Sequence, residues 1–345
     1  MLHVDPDIRR AHTLPGDFYS DPEYFERTKI EIFVRSWQMA AGPECGKGVT
    51  PFTLLPELLG EELIISRGFG GHVTCLSNVC THRGMILVDQ PCQPDVIRCP
   101  YHGRRFSPDG KFLSMPEFKD AVDFPSESDN LAQIPSFTIS NFVFVSLDAA
   151  FSAEEVLGPA VELLKRPEAN YLKPVGRKEY SVKAHWALYC ENYLEGFHIP
   201  YVHRGLNEKL DFGSYEVDLM PFAVLQKARS RDGDLAALYL FIFPNLMLNL
   251  YPGGLSVNIV RPVDPSRTII EYRTYANDTG NFGTGADTDL EIVEIEDEKI
   301  VEAVNRGIRS RYYRKGRYSP AQERGVHHFH RLICKFLEET EHGQT

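Results

Sequence analysis

The chain has 345 residues, a formal net charge of -11, 25% charged and 43% hydrophobic residues, an ordinary globular composition long enough for a large core and for two domains. Its acidic balance leaves no basic surface for nucleic acid or an anionic membrane and mildly favours cationic partners. No apolar run approaches the roughly 18 residues of a membrane span and the start lacks the apolar core of a secretory signal; with seven cysteines, an odd number, the chain is expected in the reducing cytoplasm, where a functional cysteine binds metal rather than forming a disulfide.

Ser20-Asp21-Pro22-Glu23 has the S-x-x-E form of a capping box with proline in the first turn. Phe25, Ile32 and Phe33 supply an apolar face for the helix that follows, expected to end near Trp37. Leu63-Ile64-Ile65 and His72–Leu76 flank a turn rich in glycine (Gly68, Gly70, Gly71) and read as a hairpin. Short strands and Pro/Gly turns continue to Asp148, closing on Phe142–Val145, so residues 37–150 read as a small all-β domain.

Within it, Cys80-Thr81-His82 and Cys99-Pro100-Tyr101-His102 are sixteen residues apart, each pair followed by a basic or glycine position, Arg83 and Gly103. Two tight loops that each give one thiolate and one imidazole suit a [2Fe–2S] cluster in which two histidines bind one iron and two cysteines the other. The alternative is a Cys2His2 zinc site; the mixed loops favour the cluster, because zinc sites more often pair like with like. Cys45, Cys75, Cys92, Cys190 and Cys334 have no partners at ligand spacing and read as buried or free thiols.

A helix is expected over Ala153–Leu164, then a linker over Pro167–Pro174, then β runs at Tyr180–Ala184, Phe222–Lys227, Ala237–Leu250 and Thr268–Tyr275 that suggest an antiparallel sheet. Between the first two runs, the stretch Ala184–His203 crowds Glu191, Glu195, His198 and His203 among aromatic residues. Tyr189 to Ile199 suits a helix on which Glu191, Glu195 and His198 share a face. Pro200 should end or kink it, and a bend there brings His203 to the same ion as His198. Two histidines lack the one carboxylate of the arrangement that holds non-haem Fe(II) with open positions. A helix over Asp289–Ile308 carries Leu290, Val293, Val301, Val304 and Ile308, and the vacant place on that stripe is Asp297, with Glu296 and Glu298 on other faces. Asp297 is therefore the third ligand, against the plainer reading of one more charge in a solvated acidic run. Asn277–Thr288 reads as a mobile surface loop. Tyr239, Phe241 and Phe243 alternate along one strand, and at least two of them are expected to fill the core; a sharper reading draws Tyr189, Tyr193, Phe197, Tyr201, Tyr239 and Tyr251 into a pocket for a cation.

C-x-H-x16-C-x-x-H followed by E-N-Y-x-E-x-x-H-x4-H resembles the α subunit of the Rieske non-haem iron oxygenases, the ring-hydroxylating oxygenase family, from Trp37 onward. The segments Cys190–Leu206, Phe241–Tyr251 and Gly316–Ile333 are most similar to the choline monooxygenase group, which oxidises quaternary amines. The resemblance implies an α+β chain: an all-β Rieske [2Fe–2S] domain (37–150), a helix-grip catalytic domain with an antiparallel sheet (151–345), and an N-terminal segment (1–36) packed on the latter. It implies cluster ligands Cys80, His82, Cys99 and His102, and a mononuclear Fe(II) held by His198, His203 and Asp297, whose Glu-Asp pair precedes Val304-Asn305-Arg306-Gly307. Glu195 stands where most of the family has an Asp that bridges an iron-bound histidine to a cluster-bound histidine of the neighbouring subunit, and Asn192 beside the iron without binding it. Glu191 and His185 are expected to be structural, and His327, His328 and His330 structural or interfacial. Arg104 replaces the Trp that usually follows C-P-Y-H-G, which bears on the subunit contact near the cluster. The implied activity is O2-dependent hydroxylation or demethylation of a small organic substrate, a quaternary ammonium compound of the choline or betaine kind, with an aromatic ring as the rival substrate. The alternatives of a different class are a Rieske electron carrier and a zinc-stabilised binding protein. Electrons would come from a flavin and iron–sulfur reductase; the chain has no G-x-G-x-x-G after a strand, so NAD(P)H serves only indirectly. A head-to-tail homotrimer is implied.

Overall fold

The computed structural model describes residues 2–68, 72–203, 215–276, 284–285 and 288–338. The chain divides into two compact units, Trp37–Ala149 and, together, Met1–Ser36 with Ala150–Thr345.

In the first unit, Gly48–Leu54, Glu61–Arg67, Val73–Ser77 and Gln133–Ile134 form an antiparallel sheet in that order, and the expected hairpin is its centre; the tip, 69–71, lies outside the described residues. Gln38–Ala41, Phe142–Val145 and Ser136–Ile139 make a second sheet, and Ile97–Arg98, Arg105–Phe106 and Phe112–Ser114 a third. Val49, Ile64, Leu76, Ile97 and Phe106, one from each of five strands, are buried in one core, and Cys80 and Cys99 are part of it.

The second unit is built on a seven-stranded antiparallel sheet. Six strands run as a meander: Glu216–Met220, Ala223–Arg229, Leu235–Ile242, Leu246–Tyr251, Gly254–Asp264 and Arg267–Ala276. The first strand of this sheet in chain order, Lys173–Val182, pairs with the last of these at the opposite edge from Glu216–Met220. The chain from Val182 to Glu216 must therefore cross from one edge of the sheet to the other, and it carries the helices Trp186–Tyr193 and Ile199–Val202 as it does so. The Leu290–Ile308 helix packs on Trp186–Tyr193, and Arg324–Glu338 sets Phe329 and Phe336 against Phe241 and Phe243.

Ala153–Leu164 has the expected bounds, with Ser152 and Glu155 capping it reciprocally. Other elements depart from expectation. The cap of Pro22–Thr28 is Asp21, whose carboxylate accepts the Glu23 N–H at 2.9 Å; Ser20 turns back to the Gly16 carbonyl instead. The run Ala237–Leu250 is two strands, broken at Phe243-Pro244-Asn245. Gly254–Asp264, buried on both faces over most of its length, lacks the period-2 signal that would have revealed it. The loop expected at Asn277–Thr288 lies mostly outside the described residues, although Thr284–Gly285 pairs with Thr288–Asp289. The N-terminal segment is tied to the second unit by Arg27 to the Leu337 carbonyl (2.6 Å), His327 to the Asp5 carbonyl (2.8 Å) and Tyr19 to Glu191 (2.8 Å).

One close approach brings the Arg324–Glu338 helix against the end of Trp186–Tyr193. A Cβ on Gly325 would stand 2.4 Å from the Leu194 carbonyl oxygen, whereas one on Gly307 would meet nothing within 4 Å. Gly325→Ala is expected to cost about 1–3 kcal/mol, and Gly307→Ala, inside a helix, to gain about 0.5–1 kcal/mol. Denaturant midpoints of the two variants check this, and equal midpoints would refute the account of Gly325.

Candidate functional site

The helix Trp186–Tyr193 starts on His185, whose Nδ1 accepts the Ala187 N–H at 3.3 Å. It ends at Leu194, well before Pro200. Pro200 instead occupies the first turn of Ile199–Val202, where its missing N–H costs nothing. Glu195 and His198 therefore lie in the link between two helices, not on one helix face with Glu191, as the spacing had suggested. Glu191 faces Tyr19 and His330 (3.0 Å), a structural pairing.

The link folds Glu195 back on its own neighbours. One carboxylate oxygen is 2.7 Å from His198 Nδ1; the other accepts the backbone N–H groups of His198 (3.1 Å) and Phe197. His203, 2% exposed, places Nδ1 2.8 Å from Glu296 and Nε2 3.0 Å from Asp297 Oδ1. His198 Nε2 is 3.5 Å from the same oxygen, and Asn192 donates its amide to it at 2.7 Å. Glu296 thus belongs to the site, contrary to its assignment to another helix face: its longer arm reaches sideways to the ring that its neighbour Asp297 meets end-on. Each histidine has a carboxylate on Nδ1, so the Nδ1–H tautomer is favoured and the Nε2 lone pair points towards Asp297. One ligand atom each from His198, His203 and Asp297 lie within 4.8 Å of one another. Two imidazoles and one carboxylate are a donor set that fits a divalent iron with open positions. Burial works against protonating His203, but Asp297 and then Glu296 outweigh it and raise its pKa.

The inward side of Leu290–Ile308 is more polar than its apolar stripe suggested. Val304 is 45% exposed, while Glu294 and Asn305 are buried beside Val301 and Ile308. Asn305 accepts the His185 N–H (3.3 Å) and donates to the Lys183 carbonyl (3.1 Å). Glu294 meets Tyr189 at 2.8 Å and Tyr272, and the two hydroxyls are 2.6 Å apart. Three mutual contacts need three protons, and two tyrosines supply only two, so a protonated Glu294 completes the set. Burial pushes its carboxyl up to about 8.

Tyr193 donates to Asn249 at 2.6 Å and, with Tyr239 and Tyr251, forms a run of rings 6.1–6.4 Å apart. Phe241 and Phe243 fill the core against Phe329. Phe197 and Tyr201 are 42% and 78% exposed.

In the first unit, the two Cys/His loops are copies of one backbone geometry. Cys80 N–H donates to the Met85 carbonyl (2.8 Å) and Gly84 N–H to the Cys80 carbonyl (3.0 Å); Cys99 with Arg104 (2.8 Å) and Gly103 with Cys99 (3.1 Å) repeat the pair. Gly84 and Gly103 have φ of +70° and +74°, which favours glycine. Gly84, not Arg83, is the counterpart of Gly103. The loops bring the His82 and His102 rings to 4.8 Å and the buried thiols of Cys80 and Cys99 side by side; burial raises the Cys80 thiol, and Cys99 adds to it. His102 Nδ1 is buried without a hydrogen-bond partner. Adjacent cysteine sulfurs and an unpartnered ring nitrogen fit a bound metal cluster. Arg104 is 2% exposed and paired with Asp129, so its replacement of the expected Trp is a matter of the core.

Residues 218–339 match the family model of the ring hydroxylating alpha subunit (catalytic domain), and residues 50–136 that of the Rieske [2Fe-2S] domain. Choline monooxygenase of Amaranthus tricolor is 30% identical over 96% of this chain and 79% of its own length. The carnitine monooxygenase oxygenase subunit of Escherichia coli K12 is 28% identical over 98% of this chain and all of its own. A crystal structure of the quaternary ammonium Rieske monooxygenase CntA in complex with L-carnitine has the same fold, with a TM-score of 0.80 at 24% identity, covering 96% of this chain and 97% of that one.

Glu294 gives a test by pH. With its pKa raised from 4.5 to about 8, the folded chain keeps a proton that the unfolded chain has released in that interval, so this group's contribution to stability falls as pH rises from about 4.5 to 8. Glu294→Gln should flatten that slope and be the more stable protein at pH 8, by an amount on the order of a few kcal/mol. Denaturation midpoints across pH 5 to 8 check it; parallel profiles for the two proteins would show that Glu294 is not held protonated.

Proposed function

The chain belongs to the Rieske oxygenase α subunits, and from that we propose that it is the oxygenase component for a small quaternary ammonium compound, choline- or betaine-like. It is an oxidoreductase that incorporates O2 and works with a [2Fe–2S] Rieske cluster and a mononuclear non-haem iron. In this reading Cys80, His82, Cys99 and His102 would hold the cluster, and His198, His203 and Asp297 the single iron. When bound, these groups supply one-electron transfer and O2 activation. The observation that carries the assignment is the convergence of His198, His203 and Asp297 within 4.8 Å, which neither an electron carrier nor a zinc-stabilised binding protein needs.

The chain's own residues then have distinct tasks. Glu195 and Glu296 hold the Nδ1 protons of the two histidines and so aim their Nε2 atoms. Asn192 donates to Asp297 Oδ1 and orients that carboxylate. The Tyr193, Tyr239 and Tyr251 rings offer a wall that attracts a cation, at roughly 0.5–2 kcal/mol per well-placed ring. Those rings and the activities named for the relatives support the substrate class; an aromatic substrate would use the same rings as a plain apolar wall. Hydroxylation next to nitrogen gives a carbinolamine that collapses to the demethylated amine and an aldehyde, and oxidation at an alcohol carbon gives an aldehyde directly. A flavin and iron–sulfur reductase, itself oxidising NAD(P)H, is the proposed electron source, and the proposed assembly is a homotrimer in which Glu195 links the iron of one chain to the cluster of the next.

Purified protein should contain about three irons per chain with acid-labile sulfide, and His198→Ala or Asp297→Ala should lose the single iron and turnover while keeping the cluster's visible spectrum. Zinc without sulfide would overturn the cofactor assignment. Mixing a Cys80→Ala chain with a His198→Ala chain should restore part of the activity, whereas a fully active monomer in light scattering would exclude the trimer. A substrate panel decides the class: formaldehyde or an aldehyde from trimethylammonium compounds supports it, and O2 uptake coupled only to aromatic rings defeats it.

A further inference from the structure

Arg104 follows the second ligand loop directly, and its side chain is among the largest fully buried ones of the described residues. The guanidinium carbon lies 4.8 Å from the Phe112 ring centroid, 5.6 Å from Phe124 and 5.8 Å from Phe106. Its only anionic partner among the described residues is Asp129, which it meets through the carboxylate and, at 3.3 Å, the backbone carbonyl. That same carbonyl accepts Thr81 Oγ at 2.9 Å, and Thr81 stands between Cys80 and His82. Arg104 and Asp129 therefore form a strut joining the Cys80–His82 loop to the Cys99–His102 loop. The two charges are unequally wet: the side chain of Arg104 is 2% exposed and that of Asp129 17%. Solvent screens the carboxylate more than the guanidinium, so the pair presents a net positive field to its dry side.

We propose that Arg104 sets the reduction potential of the cluster, its buried charge favouring the reduced form and Asp129 limiting that effect. The inference rests on Cys80, His82, Cys99 and His102 holding that cluster. With two thiolates, two neutral imidazoles and two bridging sulfides, the oxidised cluster is neutral overall, and the electron it accepts leaves it negative. A fixed cation in a poorly screened interior stabilises that added charge. Removing the cation also leaves Asp129 uncompensated, which acts in the same direction, whereas removing the carboxylate acts in the opposite one. Opposite signs at the two ends of the strut separate an electrostatic role from a merely mechanical one, because loosening the ligand loops from either end would disturb the cluster in the same way.

The test is a redox titration of the purified holoprotein, followed by the cluster's visible absorption and circular dichroism, for wild type, Arg104→Met, Arg104→Lys and Asp129→Asn. At a fixed poise near the midpoint, Arg104→Met should lower the reduced-to-oxidised ratio about tenfold, a shift of about 59 mV for a one-electron couple. Arg104→Lys should stay near wild type, and Asp129→Asn should raise the ratio. Shifts of one sign in Arg104→Met and Asp129→Asn, or a lysine variant displaced as far as methionine, would overturn the proposal. If Arg104→Met fails to fold, a raised ratio in Asp129→Asn beside an unshifted Arg104→Lys supports the proposal, and a lowered ratio in Asp129→Asn overturns it. A wild-type protein without a Rieske spectrum would instead sink the ligand assignment on which the proposal rests, a result distinct from any pattern among the variants.

Discussion

Four carboxylates, Glu195, Glu294, Glu296 and Asp297, crowd one corner of the second unit, and relieving their mutual repulsion is the condition on which that corner is built. Each is relieved differently. Glu195 is taken up by the His198 ring and two backbone N–H groups, Glu296 by His203, and Asp297 by the Asn192 amide. Glu294 escapes by staying neutral between two tyrosines. The charge left over on Asp297 and its neighbours is what a dication would balance, which is why an arrangement costly for a bare protein suits a metal enzyme.

These partners meet because of the sheet's topology. Since Lys173–Val182 and Glu216–Met220 sit at opposite edges, the segment between them has to cross the sheet, and it is held there by the Leu290–Ile308 helix through Asn305, Glu294 and Asp297. The Glu294–Tyr189 and Asn305–His185 contacts are hydrogen bonds between buried groups, so losing one leaves an unpaired polar atom behind. Gly325 completes the arrangement by letting the Arg324–Glu338 helix come against the Leu194 carbonyl, just where the preceding helix stops.

The first unit solves a different problem with less material. One five-residue backbone turn, closed by a positive-φ glycine, is used twice to present a thiol and an imidazole, and the Arg104–Asp129 strut ties the two copies together. A Trp in place of Arg104 would fill the volume but carry no charge into it.

Local features were legible in the sequence. The Cys/His loops, the Ser152 cap and the Ala153–Leu164 helix depend on residues a few positions apart, and a glycine-rich turn between two apolar runs made the hairpin readable. The identity of the candidate donors could be read too, because few residue types bind metal and their spacings recur. The break at Leu194, the entry of Glu296 into the site, the neutral Glu294 triad and the burial of Arg104 could not. Each is decided by groups distant in the chain, Gly325, His203, Tyr272 and Asp129 respectively, whose approach follows from how helices and sheet pack. Sequence by itself determined which chemistry was at hand; only tertiary structure decided which carboxylate serves which histidine, because a side chain's partner is chosen by distance in space and by the cost of leaving a buried polar group alone.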